Sequence, residues 1–344
     1  MPLTSLMLEE TRSAPQRVAA MLAADAPAYD ALAQALRRHD PAFIVTVARG
    51  SSDHAALYLA NLAGIVTGRI TASLPPSLVT RYGAALRFER SLVVSTSQSG
   101  GSPDLLRTVE AARAGGALTV AIVNQPDSPL ERTAAHFLPQ HAGPERSVAA
   151  TKSVIATMAV AARLLASWAE DRAMLDALAV LPDRLEAALA CDWNSALPLL
   201  GDASSLYVVG RGPGLGVAEE TALKLKETSG VLAEALSAAE IQHGPKAVIG
   251  PGFPVLVYGL QDAGGRDALA FATDLAKAGA QVVVASHDAP GPGLVHLPLP
   301  PPLHPLLDPI VALQAFYPLA EALARARGRD PDRPPGLLKV TRTL

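Results

Sequence analysis

Apolar and polar residues follow two different periods along this chain, one helical and one strand-like. Residues 6–38 carry Leu, Met and Val at helical spacing in the stretches MLEETRSAPQRVAAML and YDALAQALRR, which predict two amphipathic helices. Short, mainly apolar runs follow, such as FIVTV, SLVVSTS and LTVAIV, and turns and helical patterns separate them. This repetition predicts βαβ units and parallel sheets covered by helices.

The second half of the chain repeats the layout of the first. SLYVVGRGPGLGVAEETALKLKE resembles FIVTVARGSSDHAALYLANLAG, so that Gly212, Ala218 and Ala222 correspond to positions 50, 56 and 60. FPVLVYGLQDAGG and AKAGAQVVVASHD correspond in the same order to the second and third strands of the first half. The sequence therefore predicts an α/β protein of two tandem flavodoxin-like domains, each a mainly parallel sheet sandwiched by helices.

The length of 344 residues suits two domains of about 150 residues each. We predict N-terminal helices over 1–40, a first domain over 41–175, a linker helix over 176–200, a second domain over 201–328, and a C-terminal tail over 329–344. A proline-rich stretch, APGPGLVHLPLPPPLHPLLDP, precedes the predicted last helix, and its prolines exclude a central strand or a helix interior there. It is either an ordered surface connection or a subunit contact.

Composition and charge narrow the class of protein. Hydrophobic residues make up 49% and charged residues 18%, as in a globular protein with a large core. The net charge of −3, with no run of Lys or Arg, argues against nucleic acid as a partner. One cysteine and eight scattered histidines suggest neither disulfides nor a metal, and we expect no cofactor. No signal sequence and no apolar run of membrane-spanning length is apparent, so we expect a cytoplasmic protein with no membrane partner.

Two serine-rich turns are the first candidates for chemistry. Arg49-Gly50-Ser51-Ser52 and Ser97-Gln98-Ser99-Gly100-Gly101-Ser102 each follow a strand and open a helix, where parallel sheets bind anionic ligands. Each turn alone could be a plain helix cap. Together the two turns indicate a phosphate-binding site, which we call the phosphate cradle. In the second half Pro213 removes a backbone donor and Asp262 adds an acid, so we expect phosphate binding in the first domain only.

Ionisable groups concentrate instead in the second half. Lys224 and Glu227 lie three residues apart and therefore on one helix face, close to the expected cleft. In isolation such a pair is usually a solvated surface ion pair. Glu240 and His243 precede a Gly-Pro turn, where a histidine is as often structural as functional.

Six motifs in order carry a resemblance to a known family. RGSS, SQSGGS, VAATKS, ALKLKE, AEIQHGP and GLLKVTRTL resemble the SIS (sugar isomerase) family, in particular the isomerase half of glutamine–fructose-6-phosphate amidotransferases and the stand-alone SIS-type glucosamine-6-phosphate deaminases. The resemblance implies tandem SIS domains that bind a sugar phosphate. It assigns the phosphate to Ser52, Ser97, Gln98, Ser99 and Ser102, and sugar contacts to Gly50, Ser51, Val148 and Ala149.

The resemblance also implies the acid–base residues. Glu227 would carry a proton between C1 and C2 of the sugar, with Lys224 as its cationic neighbour. His243 would assist ring opening and would reach the site from the partner subunit of a homodimer. Lys339, near the C-terminal tail that would cover the site, would contact the sugar.

The chain departs from the family pattern in several places. Gly101-Ser102 stands where a Glu-Thr pair is usual, Ala150 replaces a serine, and the sequence shows no glutaminase domain and no cysteine at position 2. We therefore expect the ammonia-releasing direction, from glucosamine 6-phosphate and water to fructose 6-phosphate and ammonia. The alternatives are a galactosamine-6-phosphate deaminase, a fructosamine-6-phosphate deglycase, or a non-catalytic sugar-phosphate sensor. A sensor would not need Glu227, His243 and Lys339 together.

Overall fold

A computed structural model describes residues Thr4–Lys339. The chain forms two compact units. Within the described residues, the N-unit comprises Gln16–Glu145, Lys152–Ala179 and residues 338–339, and the C-unit comprises residues 4–15, Arg146–Thr151 and Val180–Leu337. Each unit contains its own five-stranded sheet, in which every strand pairs in parallel. The predicted fold class is therefore confirmed.

The N-terminal periodicity forms the two predicted helices, α1 (Leu6–Ala23), which begins in the C-unit, and α2 (Ala26–His39). The rest of the N-unit alternates strands and helices: β1 (Phe43–Val47), α3 (Ser51–Thr67), β2 (Thr71–Ser73), α4 (Ser77–Thr80), β3 (Ser91–Ser97), α5 (Pro103–Ala114), β4 (Leu118–Val123), α6 (Pro129–Thr133), β5 (His136–Pro139) and α7 (Lys152–Ala169). The strand order is β2-β1-β3-β4-β5. Strand β3, at the centre, is buried along its whole length, although Ser91, Ser95, Thr96 and Ser97 are polar.

Helix α7 is 18 residues long and mainly apolar. Among the described residues it is the one helix whose length and composition would allow a membrane span, and 89% of it is buried inside the fold. Arg163 on this helix donates hydrogen bonds to the carbonyl oxygens of Met21 and Ala24, and its guanidinium lies 4.0 Å from the ring centre of Tyr29. Because its side chains contact protein on nearly all sides, α7 is a core helix.

The C-unit repeats the architecture. It contains α8 (Arg172–Leu189, which begins in the N-unit), α9 (Leu197–Gly201), β6 (Ser205–Gly210), α10 (Pro213–Lys224), β7 (Leu232–Ser237), β8 (Pro254–Tyr258), α11 (Ala263–Lys277), β9 (Gln281–Ser286), β10 (Val295–Pro298) and α12 (Asp308–Ala326). Its strand order, β7-β6-β8-β9-β10, matches that of the N-unit strand for strand. The internal repeat seen in the sequence is therefore a repeat of fold.

The proline-rich stretch contains a strand that the sequence did not predict. Strand β10 pairs only with β9 and lies at the edge of its sheet, beginning opposite Val283. An edge strand tolerates proline because one side of it needs no ladder partner. The prolines therefore excluded a central strand correctly, but not a strand altogether.

Candidate functional site

A hydrogen bond and an ion pair connect the two serine-rich turns of the N-unit at the carboxyl edge of the sheet. Strands β1 and β3 are neighbours, so the turns after them lie side by side. The Thr96 hydroxyl donates to the Ser52 carbonyl oxygen over 2.8 Å, and the Arg49 guanidinium contacts the Asp104 carboxylate at 3.0 and 3.1 Å. These links join the start of α3 to the start of α5, and they bring the predicted phosphate-binding residues to one edge.

Glycine conformation shapes both turns. Gly50 caps α3 with φ of 53° and ψ of −135°, and its counterpart Gly212 caps α10 with nearly identical angles. Gly100 has φ of 62°, and a Cβ atom there would lie 2.5 Å from the Ser128 hydroxyl oxygen. A side chain at position 100 would therefore be strained and would also collide with α6.

Two serine hydroxyl groups of the second turn accept hydrogen bonds from the backbone of that turn. The Ser97 and Ser99 oxygens accept the N–H groups of Gly100 and Gly101, at 3.0 and 3.4 Å, which leaves each hydroxyl proton able to donate outward. Ser102 caps α5 through its backbone alone, and no side-chain cap bond uses its hydroxyl.

The backbone of α5 contributes less to the cradle than its position at a strand end suggested. Pro103 has no N–H group, and the Leu105 N–H already donates to the Asp104 carboxylate over 2.9 Å. Asp104 is buried, and Arg49 supplies the cation that it requires. A phosphate bound at this edge would therefore depend mainly on side-chain hydroxyls.

A cleft of about 480 Å³ opens beside the cradle at the same edge of the N-unit. Its walls come from the ends of β3 and β4 and from the segment after β5: Gln98, Asn124, Gln125, Pro126, Gly143, Pro144 and Glu145. Gln98, one of the predicted phosphate-binding residues, thus faces a space large enough for a small ligand.

The corresponding position in the C-unit already holds an anionic group of its own. The Asp262 carboxylate accepts the N–H groups of Gly264 and Gly265, at 3.3 and 2.8 Å, and so caps α11. A bound phosphate would compete with this carboxylate for the same donors. This supports the expectation that phosphate binds to the first repeat only.

Lys224 and Glu227 form a buried acid–base cluster in the C-unit rather than a surface ion pair. The Lys224 side chain is only 1% exposed, and its Nζ lies 2.5 Å from Glu227 Oε2 and 3.4 Å from Glu220 Oε1. Burial acts to lower the pKa of Lys224, but the two carboxylates outweigh it and raise the pKa. Lys224 therefore remains an ammonium group, while the Glu227 side chain is 21% exposed and accessible to a ligand.

An irregular turn presents Glu227. Helix α10 ends at Lys224, and residues Leu225–Ser229 form one π-helical turn that stops at Gly230, where φ is 64°. Such wider turns displace side chains from regular helical positions and are common at functional sites. Glu220, on the preceding turn, is fully buried and also accepts a hydrogen bond from the Tyr317 hydroxyl over 3.4 Å.

The remaining predicted residues have diverse environments. His243 lies in a short 3-10 helix (Glu240–His243) and is exposed in this single chain. The Val148 N–H is already bonded to the Asp332 carbonyl oxygen at 3.2 Å, and Ala149 is fully buried, so backbone contacts with a sugar would have to use the other groups of this segment. Lys339 contacts the buried carboxylate of Glu145 at 3.2 Å. The last five residues of the predicted tail, 340–344, lie outside the described residues.

Other reactive groups contribute little to a site. Across Thr4–Lys339 no three His, Cys, Asp or Glu side chains come together in a way that could hold a metal ion. Burial raises the pKa of the Cys191 thiol, which also lies 3.6 Å from the Ala187 carbonyl oxygen. Cys191 is therefore a poor nucleophile.

Sequence reasoning missed three residues that hold the candidate groups in place: Glu220, Asp104 and Glu145. Each is a buried carboxylate that contacts a cation. A signal for Glu220 was present, because it lies four residues before Lys224 on one helix. The contacts of Asp104 and Glu145 cross between elements and could not be inferred from spacing.

Comparison with known proteins agrees with this architecture. The SIS domain model matches residues 39–167 and 199–288, the two repeats. A glutamine–fructose-6-phosphate aminotransferase (isomerizing) of Aeropyrum pernix is 37% identical over 321 residues, which cover 86% of this chain and 50% of that protein. The chain thus spans about half the length of the curated relatives that it matches.

Solved structures share the fold over nearly the whole chain. A provisionally named phosphosugar isomerase of Silicibacter pomeroyi is 40% identical, with a TM-score of 0.91 over 96% of this chain and 100% of that one. The C-terminal domain of glucosamine-fructose-6-phosphate aminotransferase from Francisella tularensis is 23% identical (TM-score 0.85; 97% and 99% covered). Glucosamine-6-phosphate deaminase from Thermotoga maritima is 20% identical (0.76; 98% and 100%). Because the last two structures are less than 25% identical to this chain, they show only that the fold is shared. The SIS domain model matches most of both repeats, and the chain therefore belongs to the SIS (sugar isomerase) domain family.

Proposed function

We propose that this protein is an aminosugar-phosphate deaminase of the isomerase type, which converts glucosamine 6-phosphate and water to fructose 6-phosphate and ammonia. The observation that carries the proposal is the Lys224–Glu227 contact: an accessible carboxylate beside a buried ammonium group. A carboxylate can take a proton from carbon only where the developing negative charge is stabilised nearby, and an ammonium group supplies that stabilisation.

The reaction proceeds through a proton shift in the open-chain sugar. The hydroxyls of Ser52, Ser97, Ser99 and Ser102, with the Gln98 amide, bind the phosphate. Glu227 removes the proton from C2, and the electron pair moves through C1 to O1, where Lys224 stabilises the charge. Glu227 then returns the proton to C1 while the amine nitrogen forms a double bond to C2, and a proton from that nitrogen moves to O1, which gives the 2-imine of the ketose. Water adds at C2, the C2–N bond breaks, and fructose 6-phosphate and ammonia leave. His243 assists ring opening in this scheme, from the partner subunit of a homodimer.

The ammonia-releasing direction requires few groups, and this chain holds the carboxylate and the ammonium group of the proton relay in contact. Loss of ammonia needs only water and the proton relay.

Ammonia release by the purified protein tests this proposal. Glucosamine 6-phosphate, galactosamine 6-phosphate and a fructosamine 6-phosphate are supplied in parallel, and the sugar product is quantified with the ammonia. We expect equal amounts of ammonia and fructose 6-phosphate from glucosamine 6-phosphate at a rate far above that of the other two. A preference for one of the other two substrates would reassign the substrate. Tight binding of a sugar phosphate without turnover of any of the three would favour a sensor.

A further inference from the structure

We infer that Glu145 is a positioning residue that holds the Lys339 ammonium group at the rim of the sugar-phosphate cleft. The inference rests on the proposed function, and it adds a residue that neither the motifs nor the proton relay includes. Both residues belong to the N-unit.

Glu145 is rigidly placed by the first turn of a core helix. Its Oε1 accepts the Ser153 N–H over 3.1 Å, and its Oε2 accepts the Ser153 hydroxyl over 2.6 Å. Ser153 is the second residue of α7, so the carboxylate caps that helix and also interacts favourably with its dipole. Because α7 is packed on nearly all sides, this carboxylate cannot move without disturbing the core of the unit.

The same carboxylate holds Lys339. Its Oε2 lies 3.2 Å from Lys339 Nζ, the Glu145 side chain is fully buried, and the Lys339 side chain is 23% exposed. A buried carboxylate requires a cation or several hydrogen bonds, which makes it an effective anchor for an ammonium group. A lysine side chain otherwise samples many rotamers, and this contact restricts them before any ligand arrives.

The position of the pair gives it a role beyond helix capping. Glu145 lines the 480 Å³ cleft together with Gln98, the amide of the phosphate cradle. Lys339, through Glu145, is therefore held where a sugar phosphate would extend from the cradle. An ammonium group fixed there can attract the substrate anion and the negative charge that develops on O1.

A double-mutant cycle tests the inference. Glu145→Gln keeps a group that can accept from Ser153 but removes the charge, and Lys339→Met removes the ammonium group. We expect each to lower kcat/KM about tenfold, and the double variant to be no worse than Lys339→Met alone, because Glu145 acts only through Lys339. Lys339→Arg, which keeps a cation for Glu145, should restore most of the loss.

Matched controls separate positioning from folding. Ser153→Ala removes one bond of the helix cap but leaves the ion pair, so it should shift the thermal midpoint without lowering kcat/KM. Asp274→Asn breaks the exposed Lys277–Asp274 pair (3.4 Å) and should change nothing. Losses that add in the double variant, or a gain in kcat/KM on Glu145→Gln, would overturn the inference; the gain would show that Glu145 withholds Lys339 from the substrate.

Two further measurements keep this inference distinct from the proposed function. The cycle is repeated for equilibrium binding of glucitol 6-phosphate, which cannot react. Trypsin cleavage after Lys339 is also timed, and we expect it to be faster in Glu145→Gln. If no aminosugar phosphate is turned over but binding remains non-additive, the proposed function fails and Glu145 keeps its role. If the wild type is active and neither measurement responds to Glu145→Gln, the inference alone fails.

Discussion

At the scale of single residues, the central feature is Lys224 between two carboxylates that are not equivalent. Glu220 is fully buried and fixes the ammonium group, whereas Glu227 is partly exposed and can reach a ligand. We therefore expect Glu227→Gln to lower kcat at least about a hundredfold with little change in KM, because the amide keeps the shape but cannot accept a proton. Steady-state kinetics with glucosamine 6-phosphate give both constants.

The control for this prediction is Glu234→Gln, an exposed glutamate on β7. It should retain wild-type kinetics. Near-full activity in Glu227→Gln would remove Glu227 from the proton relay, since no amide could replace it there.

The candidate residues that lie in sequence motifs could be predicted from the sequence, but the buried side chains that hold them in place could not. Lys224 and Glu227 share one short segment, so their contact follows from helical spacing. Arg49 and Asp104 follow different strands, and their contact depends on β1 pairing with β3. The spacing of Lys224 and Glu227, taken alone, favoured a surface ion pair, and that interpretation is wrong because Lys224 is buried. Its burial depends on how α10 packs against the rest of its unit and cannot be read from the spacing.

At the scale of elements, the turn between β3 and α5 determines whether the serines converge. Gly100→Ala would place a methyl group 2.5 Å from the Ser128 hydroxyl oxygen in a backbone conformation with φ of 62°. The turn must shift to relieve this, and we expect KM for a sugar phosphate to rise about tenfold while kcat changes less. The thermal midpoint should fall as well.

The neighbouring glycine provides a control at the same turn. A Cβ atom on Gly101 would meet nothing within 4 Å, and its backbone does not require glycine. Gly101→Ala should leave KM within about twofold of wild type. Equal effects of the two substitutions would show that the tight packing at position 100 does not control the cradle.

Elements with a strong period were predicted well, and irregular ones were not. The apolar runs of β1, β3, β4, β6, β8 and β9 appear as strands in the predicted order. The π-helical turn after α10 has no distinct sequence period, because it is one turn stabilised by tertiary packing. Strand β10 was missed because prolines mask a strand pattern, although an edge position accommodates them.

At the scale of the whole chain, the two repeats keep one framework and differ in the residues at the strand ends. In the N-unit, Val120 of the fourth strand along the sheet, β4, pairs with His136, the first residue of the edge strand β5. In the C-unit, Val283 of the fourth strand along the sheet, β9, pairs in the same way with Val295, the first residue of the edge strand β10. The first residue after that fourth strand is Asn124 in one repeat and His287 in the other. Asn124 donates to the Gly143 carbonyl oxygen, and His287 contacts the Pro300 carbonyl oxygen at 2.7 Å. In each repeat, the side chain at this position therefore contacts a carbonyl oxygen of the segment that follows the edge strand.

We expect the histidine in that contact to make the stability of the C-unit depend on pH. His287 and Asp308 are both buried, with His287 Nε2 3.5 Å from the carboxylate. Burial acts to lower the pKa of His287, but the Asp308 carboxylate, the Pro300 carbonyl and Asp288 raise it overall. A raised pKa in the folded state means that the contribution to stability is complete below about pH 6.5, the ordinary histidine value, and is lost as pH rises through the folded pKa.

His287→Asn introduces the residue that the first repeat has at this position. It should therefore reduce the dependence of the thermal midpoint on pH. We expect the wild-type thermal midpoint to fall more than that of the variant between pH 6 and pH 8, measured by thermal unfolding followed by circular dichroism. His243→Asn, at an exposed histidine, should keep the wild-type slope. If His287→Asn keeps it too, the buried pair does not carry the pH dependence, and the histidine serves only as the hydrogen-bonding equivalent of Asn124.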